Sequence, residues 1–136
     1  MRYGIIAIAF AASTLAACDY PLFPDEDDVD LRTDRSVYDA GDTATLRLYN
    51  ESGETVGYNL CVHLIQQRVD ERWTDTLYGD GGPCTGMWYH LRHGDMDTYP
   101  AALDADMPAG TYRFRTRVDM DSEGEFTVYS RSFEVE

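Results

Sequence analysis

Three cysteines and three histidines are the side chains of this sequence best suited to nucleophilic or metal chemistry. They are Cys18, Cys61, Cys84, His63, His90 and His93. A thiol beside an imidazole would make a nucleophile–base pair, and several such residues at short spacing would make a metal site. No CxxC or HxxxH spacing occurs, and no serine stands in a Gly-x-Ser-x-Gly elbow. We therefore predict no metal and no catalytic residues, and we expect the protein not to be an enzyme.

Acidic residues at alternate positions give one weak candidate for a calcium site. Asp119, Asp121 and Glu123, followed by Gly124, match the first half of an EF-hand loop. The twelfth position is Ser130, where that loop needs a bidentate glutamate, and the flanking segments have strand periodicity. We therefore predict a polar hairpin turn and no cofactor. A weak calcium module stays open as an alternative, as does a hydrolase that uses an unplaced pair among the 25 acidic residues.

The first eighteen residues have the organisation of an exported precursor. Arg2 precedes an uncharged run, residues 3–17, which is too short to span a bilayer but suits a signal peptide. The run ends in Leu15-Ala16-Ala17-Cys18, which resembles the bacterial lipobox. The resemblance implies a lipoprotein: residues 1–17 are removed, and Cys18 carries acyl chains such as palmitate that hold it in a membrane. We expect a cell-envelope protein that faces the periplasm or the exterior, and the choice between inner and outer membrane stays open.

Assigning Cys18 to lipid leaves Cys61 and Cys84 as a pair. Export would place both in an oxidising compartment, so we predict a disulfide between them, contributing about 3 kcal/mol to stability. Residues 18–28 contain two prolines and five acidic residues. Such a segment has little to pack and repels itself, so we predict an acidic tether between the anchor and the domain.

Beyond the tether, apolar residues alternate with the two-residue period of β-strands. The clearest examples are residues 43–49 and 112–119. Residues 56–69 form a longer predicted strand with apolar residues in both phases, so its core face stays open. The apolar phase also flips between Val128 and Phe133. We therefore predict a β-bulge or a break at residues 130–132.

About seven such strands separated by turn signals indicate an all-β, antiparallel sandwich. Two segments then resemble bacterial immunoglobulin-like domains: Ser36–Asp42, which reads SVYDAGD, and Pro108–Phe114, which reads PAGTYRF. The resemblance covers residues 29–136 and implies an immunoglobulin-like β-sandwich there. It also makes Tyr112 a candidate for the tyrosine corner of such folds.

Arginines on the penultimate strand and nearby tryptophans form a candidate interaction surface. Its members are Arg113, Arg115, Arg117, Trp73 and Trp88. The arginines would either pair across strands, with Arg115 over Tyr129 as a cation–π contact, or dock an acidic partner. The tryptophans, with Tyr78 and Tyr89, would either fill the core or form a binding patch.

The composition excludes some partners and leaves several functions open. The formal charge is −14, and all 11 basic residues are arginine, so phosphate repulsion argues against nucleic acid. We expect a non-enzymatic, lipid-anchored envelope protein that meets the membrane through its lipid and another envelope protein through its domain. The main alternative is a proteinase-inhibitor-like module that would use the loop Gly79–Gly86.

Overall fold

The computed structural model describes residues 28–79 and 82–136. The predicted signal segment, Cys18 and almost all of the tether lie outside the described residues. Those residues contain ten strands and no α-helix. The strands are β1 (Val29–Thr33), β2 (Val37–Tyr38), β3 (Thr43–Asn50), β4 (Val56–Val69), β5 (Arg72–Asp75), β6 (Tyr89–Leu91), β7 (Met96–Ala102), β8 (Gly110–Met120), β9 (Gly124–Tyr129) and β10 (Phe133–Val135). A helix long and apolar enough to cross a bilayer is not found in this part of the chain.

Two sheets pack face to face. The smaller sheet has the order β1-β3-β7, and the larger has the order β2-β10-β8-β4-β5, with β6 also paired to β4 and β9 to β8. All pairs are antiparallel except β2 with β10, which are parallel. The predicted all-β sandwich is therefore confirmed. The described residues contain ten strands rather than about seven, because β1 and the two-residue β2 add to the predicted strands and the last predicted strand is divided into β9 and β10.

The core lies between the sheets and follows from the alternation of each strand. Ala44, Leu46 and Leu48 of β3 are fully buried, while their neighbours are partly exposed. On β8 the even-numbered residues from Tyr112 to Met120 are buried, and Phe114 stacks on Phe133 of β10 with ring centroids 5.2 Å apart. Burying such side chains contributes about 1.5–3 kcal/mol each, which gives the small domain its stability.

Strand β4 changes its buried face along its length. Tyr58 and Leu60 are buried before the change, and His63 and Ile65 are buried after it. Four residues, 59–62, stand opposite Arg117 alone, because the register with β8 shifts between Tyr58 and His63. Such a bulge moves the buried positions from one phase to the other. It explains why apolar residues occur in both phases of this strand.

The two predicted features of the C-terminal strands are present. Pairing with β8 stops after Tyr129 and resumes at Phe133, so the predicted break at Ser130–Ser132 is confirmed. The hydroxyl of Tyr112 donates a 2.7 Å hydrogen bond to the carbonyl of Pro108, four residues earlier. This is the contact expected of a tyrosine corner.

Strand β7 is an edge of the smaller sheet and flanks an opening between the two sheets. It pairs only with β3 among the strands of that sheet. Pro100 lies within it and interrupts the row of backbone donors. Asp97 and Tyr99 share the alternating phase of the buried Ala101, so both face the interior side.

Candidate functional site

The outer face of the larger sheet brings the predicted interaction residues together. Arg113, Arg115 and Arg117 occupy the outward phase of β8, between the buried even-numbered residues. Trp73 lies on β5 next to Arg113, and the Trp88 ring covers the backbone of Gly57 on β4. All five predicted residues therefore share one face, although they come from three separate segments. We call this set the arginine–tryptophan face.

Arg113 is enclosed by two aromatic rings at one end of the face. Its guanidinium lies 4.4 Å from the ring centroid of Trp73 and 4.0 Å from that of Tyr129. Its Nε donates a 2.7 Å hydrogen bond to the amide oxygen of Gln66. Burial lowers the pKa of Arg113 from its usual value, and cation–π contacts favour keeping the charge there. The prediction that Arg115 would lie over Tyr129 is wrong, because Arg113 occupies that position.

Arg115 and Arg117 pair with acidic residues of the larger sheet: Asp75 on β5, which lies beyond β4, and Glu125 on the adjacent β9. Arg115 makes two hydrogen bonds to Asp75, of 3.0 and 2.8 Å, and Arg117 pairs with Glu125 on β9. The bonds from Arg115 and then from Gln66 lower the pKa of Asp75 below its usual value. The cross-strand pairing predicted from the sequence is therefore present, and the arginines are partly neutralised.

Exposed apolar side chains border these charges. Val62, the last residue of the β4 bulge, is 55% exposed, Leu64 just beyond it is 40% exposed, and Trp88 is 44% exposed. A shallow pocket of about 140 Å³ lies between Val62, Met87, Trp88 and Arg117. Tyr78, in contrast, packs against the core. The aromatic residues near the loop thus divide between the two predicted roles.

A disulfide holds the loop that carries Trp88. Cys61 on β4 is bonded to Cys84, with their Cα atoms 5.7 Å apart, so the predicted pair is present. The amide of Asn59 also donates hydrogen bonds to the carbonyls of Thr85 and Met87, at 2.7 and 2.9 Å. Within the described residues 82–88, a disulfide and two hydrogen bonds from the Asn59 side chain therefore fix the loop against the β4 bulge.

The interior side of β4 contributes to a second pocket that sequence reasoning missed. It has a volume of about 320 Å³ and opens between β4 and the edge strand β7. Its lining includes Tyr58, Tyr89, Asp97 and Tyr99. These residues are dispersed over some forty positions, on three strands of both sheets. Only the sheet topology brings them together, so no local motif could have identified them.

The histidines lie at three separate places. His63 is buried, with its ring between Tyr99 and Phe114, and its Nδ1 donates to the carbonyl of Leu60 at 2.8 Å. Its Nε2 is buried without a hydrogen-bond partner. His90 is exposed on β6, and His93 bonds the carbonyl of Ser52. These positions fit histidines that pack in the core or stabilise a turn, as the sequence favoured.

The predicted calcium candidates lie at a β-hairpin. Asp119 belongs to β8, Asp121 and Glu123 belong to the turn, and Gly124 begins β9 with a φ of 74°. The amide of Ser122 donates a 3.1 Å hydrogen bond to the carboxylate of Glu54. Among the residues that the structure describes, no three acidic, histidine or cysteine side chains are grouped closely enough to hold a metal. The hairpin itself was predicted.

The fold and these surfaces define the structural class of this protein: an all-β sandwich with a disulfide-held loop and an exposed arginine–tryptophan face.

No protein-family model and no curated protein matches the chain. Several solved structures resemble it, among them the two that follow. The putative ApaA protein from Bordetella pertussis is 21% identical over 68% of this chain and 72% of its own, with a TM-score of 0.45. Spo0M, a sporulation control protein from Bacillus subtilis, is 14% identical over 80% of this chain, with a TM-score of 0.43, and the match spans 49% of Spo0M. Likeness at this level gives no basis for a function.

Proposed function

We propose that the chain is a non-enzymatic, lipid-anchored protein of the bacterial cell envelope that binds another envelope protein. Cys18 carries the lipid, and residues 18–28 hold the sandwich away from the membrane. The arginine–tryptophan face is the binding surface. The observation that carries this proposal is the position of all five predicted residues on one outer face of the larger sheet.

The cysteines support the export part of the proposal. The Cys61–Cys84 disulfide accounts for two of three cysteines, and stable disulfides are typical of exported proteins. The remaining cysteine stands at the end of the sequence that resembles a lipobox. Lipid attachment there uses the third thiol, so the cysteine count and the leader sequence support the same conclusion.

The chemistry of the face indicates the kind of partner. Val62, Leu64 and Trp88 offer apolar area, and Arg117 is 62% exposed beside them. A partner segment with an acidic residue next to an apolar one would share the Arg117 guanidinium with Glu125 and bury the apolar side chain. The formal charge of −14 repels such a segment at long range. At physiological ionic strength, salt screens that repulsion beyond about 8 Å. Short-range contacts with the arginines therefore determine the affinity.

Lipid attachment is tested by labelling cells that express the full chain with a clickable palmitate analogue. We expect label on the wild type and none on Cys18→Ala. The matched control is the double variant Cys61→Ser/Cys84→Ser, which retains Cys18 and should be labelled like the wild type. An unlabelled wild-type protein, or label that persists on Cys18→Ala, would refute the anchor.

The binding face is tested by photo-crosslinking in cells from a benzophenone residue at Val62. We expect an adduct of one discrete mass whose partner carries an acidic segment, and loss of that adduct in Arg117→Gln/Trp88→Ala. The matched control is Arg32→Gln/Tyr49→Ala. It also removes one arginine and one aromatic ring, here a pair 4.6 Å apart from guanidinium to ring centroid, but on the smaller sheet. Equal loss in both double variants, or no discrete adduct, would contradict the assignment.

A second candidate function is proteinase inhibition by the loop Gly79–Gly86. The observation that favours it is that the disulfide holds Cys84 and the Asn59 side-chain amide holds the carbonyl of Thr85, since an inhibitory loop binds better when it is ordered before contact. Incubating the protein with serine, cysteine and metalloproteases tests this candidate. It predicts inhibition of one class and an uncut loop, and cleavage or absence of inhibition across the panel removes it.

A further inference from the structure

The pocket between the sheets is a half-open chamber. Tyr58 and Leu60 of β4 form its inner wall, and Asp97 and Tyr99 of the edge strand β7 form the opposite wall. The rest of the lining comes from the bulge and the disulfide loop. Those residues are Asn59, Cys61, Pro83, Thr85 and Tyr89. Its volume of about 320 Å³ is sufficient for a small organic ligand.

Aromatic rings supply most of the chemical character of this chamber. Tyr58 is buried, and its ring centroid lies 6.0 Å from that of Tyr89, with the ring planes inclined by 45°. Tyr89 is 46% exposed at the open side. Tyr99 stands on the opposite wall, where the ring of His63 packs against it at 5.7 Å. Three tyrosines from three strands therefore border one space.

A single carboxylate completes the lining. Asp97 is half-buried, and its Oδ2 accepts a 2.6 Å hydrogen bond from the hydroxyl of Tyr58. Its Oδ1 accepts a 2.8 Å bond from the backbone of Thr98. Burial first, and then the bond to Asp97, raise the pKa of Tyr58 well above its usual value. Tyr58 therefore remains a neutral donor, and the negative charge of the chamber is on Asp97.

We propose that this chamber binds a small organic cation of the quaternary ammonium class. The negative faces of aromatic rings attract such cations, which give up little hydration on entry. Asp97 supplies the countercharge, and the net charge of −14 raises the local concentration of cations. The site lies on the interior side of β4, although Asn59 also lines the pocket beside Trp88, and it does not depend on the lipid anchor.

The disulfide forms part of the wall of this site. Cys61 lines the chamber directly, and the residues on either side of Cys84, Pro83 and Thr85, cover it. Cutting the bond frees the loop, and ordering it again on binding costs conformational entropy. The affinity for the cation therefore depends on an intact disulfide.

The probes are choline and its neutral isostere 3,3-dimethylbutan-1-ol, titrated calorimetrically into the purified full chain in detergent at constant ionic strength. The two have the same shape and differ in charge. We expect choline to bind at least about tenfold more tightly, because only the cation gains from the rings and from Asp97. Equal affinity for the two probes, or no binding of choline, would overturn the proposal.

Variants locate the site. Tyr89→Ala and Asp97→Asn should each weaken choline binding about fivefold or more, and Cys61→Ser/Cys84→Ser should weaken it as well. Tyr129→Ala is the matched control, since Tyr129 is also 46% exposed but lies on β9. Circular dichroism checks that each variant is folded. Unchanged affinity in folded Tyr89→Ala, or an equal loss in Tyr129→Ala, would refute this location.

Discussion

Asp34 connects three segments at one end of the sandwich. Its Oδ1 accepts hydrogen bonds from the hydroxyl of Tyr38 and from the backbone of Thr45, both at 2.7 Å. The Arg35 guanidinium covers the Tyr38 ring at 4.5 Å. Burial alone would raise the pKa of Asp34, but the two hydrogen bonds and the nearby arginine outweigh it, so the pKa lies below the usual value of 3.8.

This arrangement predicts a pH-dependent contribution to stability. Because the folded-state pKa is depressed, the stabilisation is complete above the unfolded value and is lost as pH falls through the folded one. Asp34→Asn should lower the free energy of unfolding by about 1–2 kcal/mol at pH 7. Urea denaturation of both proteins across the acid range measures the difference, which should shrink below about pH 4. A difference that is constant down to about pH 2 would contradict the charge-based explanation.

Arg113 illustrates the limit of reading side-chain contacts from register. The sequence placed Arg115 opposite Tyr129, and the structure has that pairing of Cα atoms. The guanidinium over the ring nevertheless belongs to Arg113, because Asp75 holds Arg115 in two hydrogen bonds. An arginine side chain spans more than one position along a strand. Register alone therefore does not decide which arginine covers the ring.

At the scale of elements, one side chain supplies a hydrogen bond that the break between β9 and β10 would otherwise remove. The Ser130 amide donates to the carbonyl of Phe114 at 2.9 Å. Its hydroxyl accepts from the amide of Phe114 at 2.9 Å and donates to the carbonyl of Arg131 at 2.8 Å. A serine hydroxyl thus replaces the backbone carbonyl that the break removes from the ladder, and the buried donor of Phe114 stays paired.

Ser130→Ala should therefore destabilise the protein by about 1–3 kcal/mol, because it leaves the buried Phe114 amide without an acceptor. Ser132→Ala is the control, since Ser132 is exposed at the same break, and it should change stability by less than about 0.5 kcal/mol. Thermal or chemical denaturation measures both. Equal effects in the two variants would show that the break does not depend on this hydroxyl.

The elements with simple alternation were predictable, and the irregular ones were predictable only in part. β3 and β8 alternate cleanly because each buries one face, and the phase flip at Ser130 located the break in advance. The bulge in β4 was missed because four residues stand opposite one, so neither phase is continuous. The pocket lined by Tyr58, Tyr89 and Tyr99 was missed for a different reason: these residues are far apart in the sequence and come from β4, β6 and β7, in two different sheets.

At the scale of the whole molecule, net charge is the dominant electrostatic feature. The chain carries 25 acidic and 11 basic residues. Several basic residues are engaged in local pairs, as Arg32 is with Asp30 and Arg115 with Asp75. The remaining acidic excess repels itself in the folded state, where charges are closer together than in the unfolded chain.

Stability should therefore increase with ionic strength. We expect the melting temperature at neutral pH to rise between dilute buffer and about 1 M NaCl, where the screening length falls to about 3 Å. The same titration at the isoelectric pH, near 4.3, is the control because the net repulsion is absent there. A melting temperature that does not respond to salt at neutral pH, or an equal response at both values, would refute the electrostatic explanation.

The unpaired edge of strand β7 affects how copies of this protein would behave side by side on one membrane. If lipid holds many copies side by side, unpaired strand edges meet at high local density and can join into an intermolecular sheet. Pro100 removes one donor from this edge, and Asp97 places a charge on its inward side. Both would obstruct the pairing of β7 with another copy, so crowding on a membrane need not lead to aggregation through this edge.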